Sequence, residues 1–189
     1  MIEAKSLAKA MKSAAKGGGY KIYVPEDRGN LYLWTDLWCV VLEARRVPRL
    51  VLAPIVEQTG ELPKIGVCGI VTAEGLQTML KDAAREECNA WTDDGEETFA
   101  KLAPIRYRGM LIYQSEQMEV FATNGAGIGI IERSAAKSAS VTDESRLFYV
   151  ADGECLILHC SRPVKHLGTP SAEMPVWAAL ESCDLGTVE

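Results

Sequence analysis

Four lysines near the start of the chain, Lys5, Lys9, Lys12 and Lys16, are spaced for one kind of chemistry, the neutralisation of phosphate. At about 100° per residue they fall within an arc of roughly 60° on a helix. Leu7, Ala10, Met11 and Ala14 gather on the opposite side. Alanine, leucine, methionine and lysine favour helices, so a helix is expected over 5–16. Gly17-Gly18-Gly19 then ends it, because glycine tolerates left-handed caps. Such a segment reads either as a solvated amphipathic helix or as a surface aimed at a polyanion.

Other residues invite chemistry and are weaker. Asn124-Gly125-Ala126-Gly127-Ile128-Gly129 follows a strand-like run, as a dinucleotide loop does. That fingerprint requires G-x-G-x-x-G opening a helix. Here the glycines alternate and 128–131 reads as extended, so a glycine-rich hairpin or strand is expected. Cys155, His159, Cys160 and His166 suggest a metal. On a strand, Cys155 and His159 share a face but stand roughly 13 Å apart, too far for one ion. A cysteine nucleophile needs a basic partner, and the chain has two histidines; buried structural cysteine is the expectation. Asp93, Asp94, Glu96 and Glu97 read as a solvated loop and helix start. Tyr32, Trp34 and, if the strand runs on, Trp38 share a face. Core or inter-repeat packing explains them, and a stacking or peptide surface is the other reading. No catalytic residue, metal ligand or cofactor is assigned.

Composition bounds the alternatives. The 189 residues carry a formal net charge of -6, with 48% hydrophobic and 24% charged residues. This is ordinary for a soluble globular protein of one domain or two small ones. An acidic total requires that a DNA-binding protein concentrate its positive charge on one surface. No apolar run approaches a membrane span, and the N-terminus has no secretory h-region. A cytoplasmic location and no membrane partner are expected. Cys39, Cys68, Cys88, Cys155, Cys160 and Cys183 are scattered, several within apolar runs. They read as reduced residues, largely of the core.

The elements that must position these residues follow from periodicity and turn residues. Strands are expected at 20–24 and 31–33, joined by a turn through 25–30, and at 38–42, 49–55 and 65–71. Thr72 reads as the N-cap of a helix reaching about 87. Leu76, Met79, Leu80 and Ala83 would form its apolar face, with Lys81 and Arg85 as its cations. A short helix is expected at about 96–102. Strands resume at 110–113, 118–123, 128–132, 147–150 and 155–160. The tail from 161 ends in a helix over 175–183, with Pro175 in its first turn.

The order helix, strands, helix, strands prompts a search for repetition. "SLAKAMKSAAK" (6–16) lies against "GLQTMLKDAAR" (75–85), matching Leu7 with Leu76, Lys12 with Lys81 and Ala14 with Ala83. "LYLWTDLWCVVLEAR" (31–45) lies against "EVFATNGAGIGIIER" (119–133), so that Thr35-Asp36 meets Thr123-Asn124. Arg49-Leu50-Val51 meets Arg146-Leu147-Phe148. A duplication is expected, with repeats at about 1–70 and 71–164, an insertion at about 88–107, and a tail at 165–189.

A tandem pair of such units resembles one domain of a DNA sliding clamp, the ring-shaped processivity factors of replicative polymerases. Clamp domains are built from two β-α-β-β-β units whose helices line the central hole. The two aligned helices carry the resemblance, with "LYLWTDLWCVVL" and "EVFATNGAGIGII", where Thr35-Asp36 and Thr123-Asn124 follow a strand as "A-T-D" or "A-T-N" does in bacterial clamps. "DGECLILHCSRPV" resembles a final clamp strand. A bacterial clamp subunit has three such domains, and this chain has room for one. The resemblance implies an α+β fold of two tandem, related helix-plus-antiparallel-strands units. It implies a noncatalytic module that associates with double-stranded DNA or replication proteins through Lys5, Lys9, Lys12 and Lys16, with Lys81 and Arg85 on the second helix. That helix also carries Asp82, Glu86 and Glu87 and is far less basic. One domain cannot encircle a duplex, so a ring would need a homo-oligomer. Two other readings stand beside it. One is a small cytosolic enzyme or nucleotide-binding protein using the 125–129 loop or a cysteine. The other is a protein-interaction scaffold with no DNA role, using the Trp34/Trp38 face.

Overall fold

The computed structural model describes residues 1–27, 29–92, 97–142, 146–161 and 174–186. Its first element is the expected helix, α1, Ala4–Lys16. Leu7, Met11 and Ala15 recur every four residues, and all three are buried. The Gly17 N–H donates to the Ser13 and Ala14 carbonyls, which the end of a helix would otherwise leave unpaired.

An antiparallel meander follows: β1 (Tyr20–Tyr23), β2 (Asn30–Trp34) and β3 (Trp38–Glu43). Next come α2 (Arg49–Thr59), β4 (Cys68–Thr72), β5 (Gly75–Thr78) and α3 (Lys81–Thr92). A second meander comprises β6 (Glu97–Tyr107), β7 (Met110–Ser115) and β8 (Val120–Asn124). The single turn α4 (Gly125–Ile128), a 3-10 turn at Ala135–Lys137, β9 (Ser138–Thr142), β10 (Arg146–Ala151), β11 (Glu154–Ser161) and α5 (Met174–Glu181) complete an α+β chain.

Contacts divide the chain into two units. The first comprises Met1–Asp93, Gly129–Glu132 and Val150–Ile157. Its strands lie in the order β3-β2-β1-β4-β5. Ile22 faces Leu33, and Leu33 faces Val40, so alternation puts Tyr20, Ile22, Leu33 and Val40 on one face. There α1 packs on α2, and Tyr20 donates its hydroxyl proton to Gln58 Oε1 at 3.1 Å. Lys21, Tyr23, Tyr32, Trp34 and Cys39 project from the other face, where α3 packs.

The second unit comprises Asp94–Ile128, Arg133–Tyr149 and Leu158–Glu189, with strand order β10-β9-β6-β7-β8. On one face Ala103, Ile112, Val120 and Ala122 are buried with Trp177 of α5. On the opposite face Tyr113 meets Tyr149 edge-on and donates its hydroxyl proton to the Ala136 carbonyl at 2.6 Å.

Several expectations are corrected. Residues 49–55 form the first part of α2, not a strand. Val51, Pro54 and Ile55 are buried at i, i+3 and i+4, so tertiary packing overrides the β-branched run. Residues 72–80 do not open a helix. Gly75 has φ +125°, which no α-helix accommodates, and a turn at Ala73-Glu74 makes a β4–β5 hairpin instead. Thr72 is therefore no N-cap: its Oγ1 accepts from the Glu74 N–H and donates to the Gly75 carbonyl. Leu76 and Leu80 form no buried face, and Leu80 is 80% exposed. The strand expected at 65–71 starts at Cys68. Residues 97–102 belong to β6, laddered on both sides, rather than to a short helix. Residues 128–132 are not a strand. α4 ends at Ile128, and Ile131 makes an isolated bridge to Ile2. The sequence matches join elements that differ in kind or in place: the first half of α1 with β5 and only its second half with the start of α3, β2 with β8, and the start of α2 with β10. Thr35 lies in the β2–β3 turn, whereas Thr123 is inside β8.

Candidate nucleic-acid interface

The rotation of α1 about its axis is set by its apolar stripe. With Leu7, Met11 and Ala15 turned inward, helical geometry sends Lys5, Lys9, Lys12 and Lys16 outward, and all four are exposed. Among the described residues, no carboxylate lies within ion-pair distance of Lys5, Lys9 or Lys16. Lys12 differs: its Nζ is 2.8 Å from Glu57 of α2. Both of these side chains are about half exposed, so the pair is screened and worth little in stability. It nevertheless offsets part of the positive charge. Lys16 in the last turn complements the negative end of the helix dipole.

The second pair of cations behaves otherwise. Lys81 opens α3, and its Nζ lies 2.9 Å from Glu26. The hydrogen bond and charge of Lys81 hold the Glu26 carboxyl below its ordinary range, and Arg85 adds a smaller pull. Glu26 in turn holds the Lys81 ammonium above its usual value. Arg85 is exposed. With Asp82 and Glu86 beside them, these cations make a mixed surface rather than a basic one.

One arrangement was not singled out in the sequence. Glu87 Oε2 accepts from the Trp34 indole N–H at 3.0 Å and from Lys21 Nζ at 2.5 Å. Burial alone would raise the Glu87 pKa, but the two hydrogen bonds and the Lys21 charge outweigh it and leave the carboxyl below its ordinary range. The signal was the hairpin register that sets Lys21 opposite Trp34.

The remaining candidates are placed as follows. Trp34 and Trp38 are both buried and Tyr32 half-buried. Trp38 lies on the face opposite Trp34, because the strand does not run on: the Thr35 N–H donates to the Trp38 carbonyl across a tight turn, and Trp34 pairs with Cys39. The Gly125–Ile128 turn follows a strand, but its glycine at 127 has a packing reason. A Cβ there would stand 2.4 Å from Leu158 Cδ2. Cys155 and His159 lie on one face of β11, as alternation requires. Among the described residues, no cluster of His, Cys, Asp and Glu has the arrangement of a metal site. His166, Asp93, Asp94 and Glu96 lie outside the described residues. All six cysteines are outside disulfides, and Cys39, Cys68 and Cys88 are buried. Burial, helped by the Glu87 charge, pushes the Cys88 thiol up to about 12. It is a protonated thiol at neutral pH and a poor nucleophile. Among the described residues, no helix is long and apolar enough to cross a membrane.

No family model, curated protein or solved structure matches the chain.

Proposed function

We propose that this chain is a noncatalytic, clamp-like module that holds duplex DNA without reading its sequence, through the lysine face of α1. The observation that carries the reading is the fixed rotation of that helix. Its apolar residues are buried, and Lys5, Lys9 and Lys16 stand exposed beyond ion-pair reach of any described carboxylate. Lysine suits this task as a point charge on a flexible stem. Phosphate contacts position a protein on a duplex, while base-edge contacts would pin it to one sequence. Lys12 contributes less because Glu57 shares its charge. Lys81 and Arg85 contribute least, since Glu26 faces them.

Strand order supports the duplication that a clamp domain entails, in a register different from the sequence matches. The first unit reads β3-β2-β1-β4-β5 and the second β8-β7-β6-β9-β10. Along the chain a helix precedes each three-stranded meander, α1 before β1 and α3 before β6, although α3 belongs to the first unit, and helical turns follow each meander. The chain then returns to the far side of the meander's first strand: β4 pairs with β1, and β9 with β6. A further antiparallel strand then joins, β5 on β4 and β10 on β9. The equivalent segments are thus β2 with β7 and β3 with β8. In this role copies of the chain assemble, since one such module cannot surround a duplex.

Fluorescence anisotropy with labelled duplexes tests this. At low salt, duplexes of unrelated sequence should bind with equal affinity and compete with one another. Absence of binding at low ionic strength, or a strong preference for one sequence, would contradict it.

A further inference from the structure

The helix α5 has no ladder partner. It lies on the second unit through side chains, and the manner of that attachment is informative. Trp177 is buried among Ala103, Ile112, Val120 and Ala122, with its ring edge-on to Tyr107 at 5.7 Å between centroids. Leu180 and Leu185 pack at the margin of the same cluster. Beyond the helix, the buried amide of Gln114 holds the backbone. Its Nε2 donates to the Cys183 carbonyl at 2.9 Å and, at 3.5 Å, to that of Leu180. Its Oε1 accepts from the Leu185 N–H at 2.9 Å. Both ends of one amide are thus spent on main-chain groups, as in the recognition of a bound peptide. The strands beneath keep their own pairing, Ile112 with Ala122 and Gln114 with Val120, none of which passes through α5. A helix of eight residues is unstable alone in water, so its order depends on docking. At the Gly186 end, a cavity of about 310 Å³ lined by Phe99, Lys101, Gln114, Met118, Asp184 and Gly186 continues this face of the sheet.

We propose that α5 with residues 183–186 is a releasable strap, bound to the β6–β7–β8 face as a ligand is bound. The groove beneath it receives a helix bearing a tryptophan and, three residues on, a leucine, followed by a backbone turn read by Gln114. Release leaves the second unit folded and bares the groove. This inference is independent of the proposed DNA contact. A tethered strap competes with any free ligand at an effective concentration in the millimolar range, so the closed chain resists a peptide that the opened chain accepts.

The test uses the full chain and a labelled synthetic peptide of residues 174–186. Trp177→Ala should loosen the strap in the chain while leaving the groove intact. The peptide should then bind Trp177→Ala at least tenfold more tightly than the unaltered protein, and a peptide lacking the tryptophan should bind neither. Equal binding to both proteins, or binding to neither, would overturn the proposal. Hydrogen exchange on the unaltered chain gives a second reading that needs no variant. Amides of α5 should exchange at least a hundredfold faster than those of β7, by local opening. Exchange of both at one common rate would show that α5 belongs to the cooperative core and would overturn the proposal equally.

Discussion

The indole N–H of Trp34 and the ammonium of Lys21 converge on a single oxygen of Glu87, at 3.0 Å and 2.5 Å. This joins β1, β2 and α3 on the face of the first unit away from α1. Charge-assisted hydrogen bonds are the stronger kind, but Glu87 is 38% exposed, so solvent screens part of their worth. Glu87→Gln should lower stability by about 1 kcal/mol at neutral pH. The folded pKa of Glu87 is depressed, so its contribution is complete above the ordinary glutamate range and is lost as pH falls through the folded value. Urea denaturation at pH 7 and at a series of lower pH values should therefore show a gap between the two proteins at pH 7 that narrows progressively once the pH falls below the ordinary glutamate range. A gap that stays constant as the pH is lowered to the limit of the folded state would show that the charge is not responsible.

Glycines 125 and 127 separate a packing role from a ligand role. An added methyl at 127 meets buried Leu158 at 2.4 Å, whereas at 125 the nearest atom, on Leu111, is 3.8 Å away. Gly127→Ala should cost about 1–3 kcal/mol through overpacking. Gly125→Ala should stay within about 0.5 kcal/mol of the unaltered protein. Thermal denaturation of the two variants checks this ordering, and equal losses would contradict it.

The cysteines should divide by burial. Cys88 is buried and its thiol is pushed up to about 12, whereas Cys183 is exposed. Under native conditions at pH 7.5, iodoacetamide should label Cys183 and leave Cys88 unmodified until the chain is denatured. Peptide mapping by mass spectrometry reads the result. Early labelling of Cys88 would mean that α3 leaves its sheet face.

What the sequence disclosed was local. Around α1, helix formers, a narrow apolar stripe and a glycine stop all agree within a few residues, and the structure follows them. The meander strands were legible for the same reason. What it concealed was set by partners distant in the chain. Residues 49–55 carry a strand-like composition, and they become helical because Val51 and Ile55 are buried under helix–helix packing with α1. Residues 75–80 have helix-forming composition, yet the left-handed Gly75 and the pairing of Leu76 with Val71 make them a strand. The acid Glu57 that meets Lys12 lies on another helix, so the lysine stripe could be read but this partner could not. Glu87 was hidden in an acidic run for the same reason: its role depends on the register of a hairpin formed far upstream.

The salt dependence of duplex binding tests the central claim most directly. For B-form DNA, log K falls against log salt with a slope of about −0.9 for each phosphate neutralised. Replacing Lys5, Lys9 and Lys16 together by glutamine should reduce the magnitude of that slope by up to about 2.7. Lys12→Gln alone should change it by less than any one of the three, because Glu57 already shares that charge. The fold should be unaffected, since exposed lysines contribute little to stability. A slope that the triple replacement leaves unchanged, or a duplex that does not bind at low salt, would contradict the account and leave α1 an amphipathic helix with a solvated face.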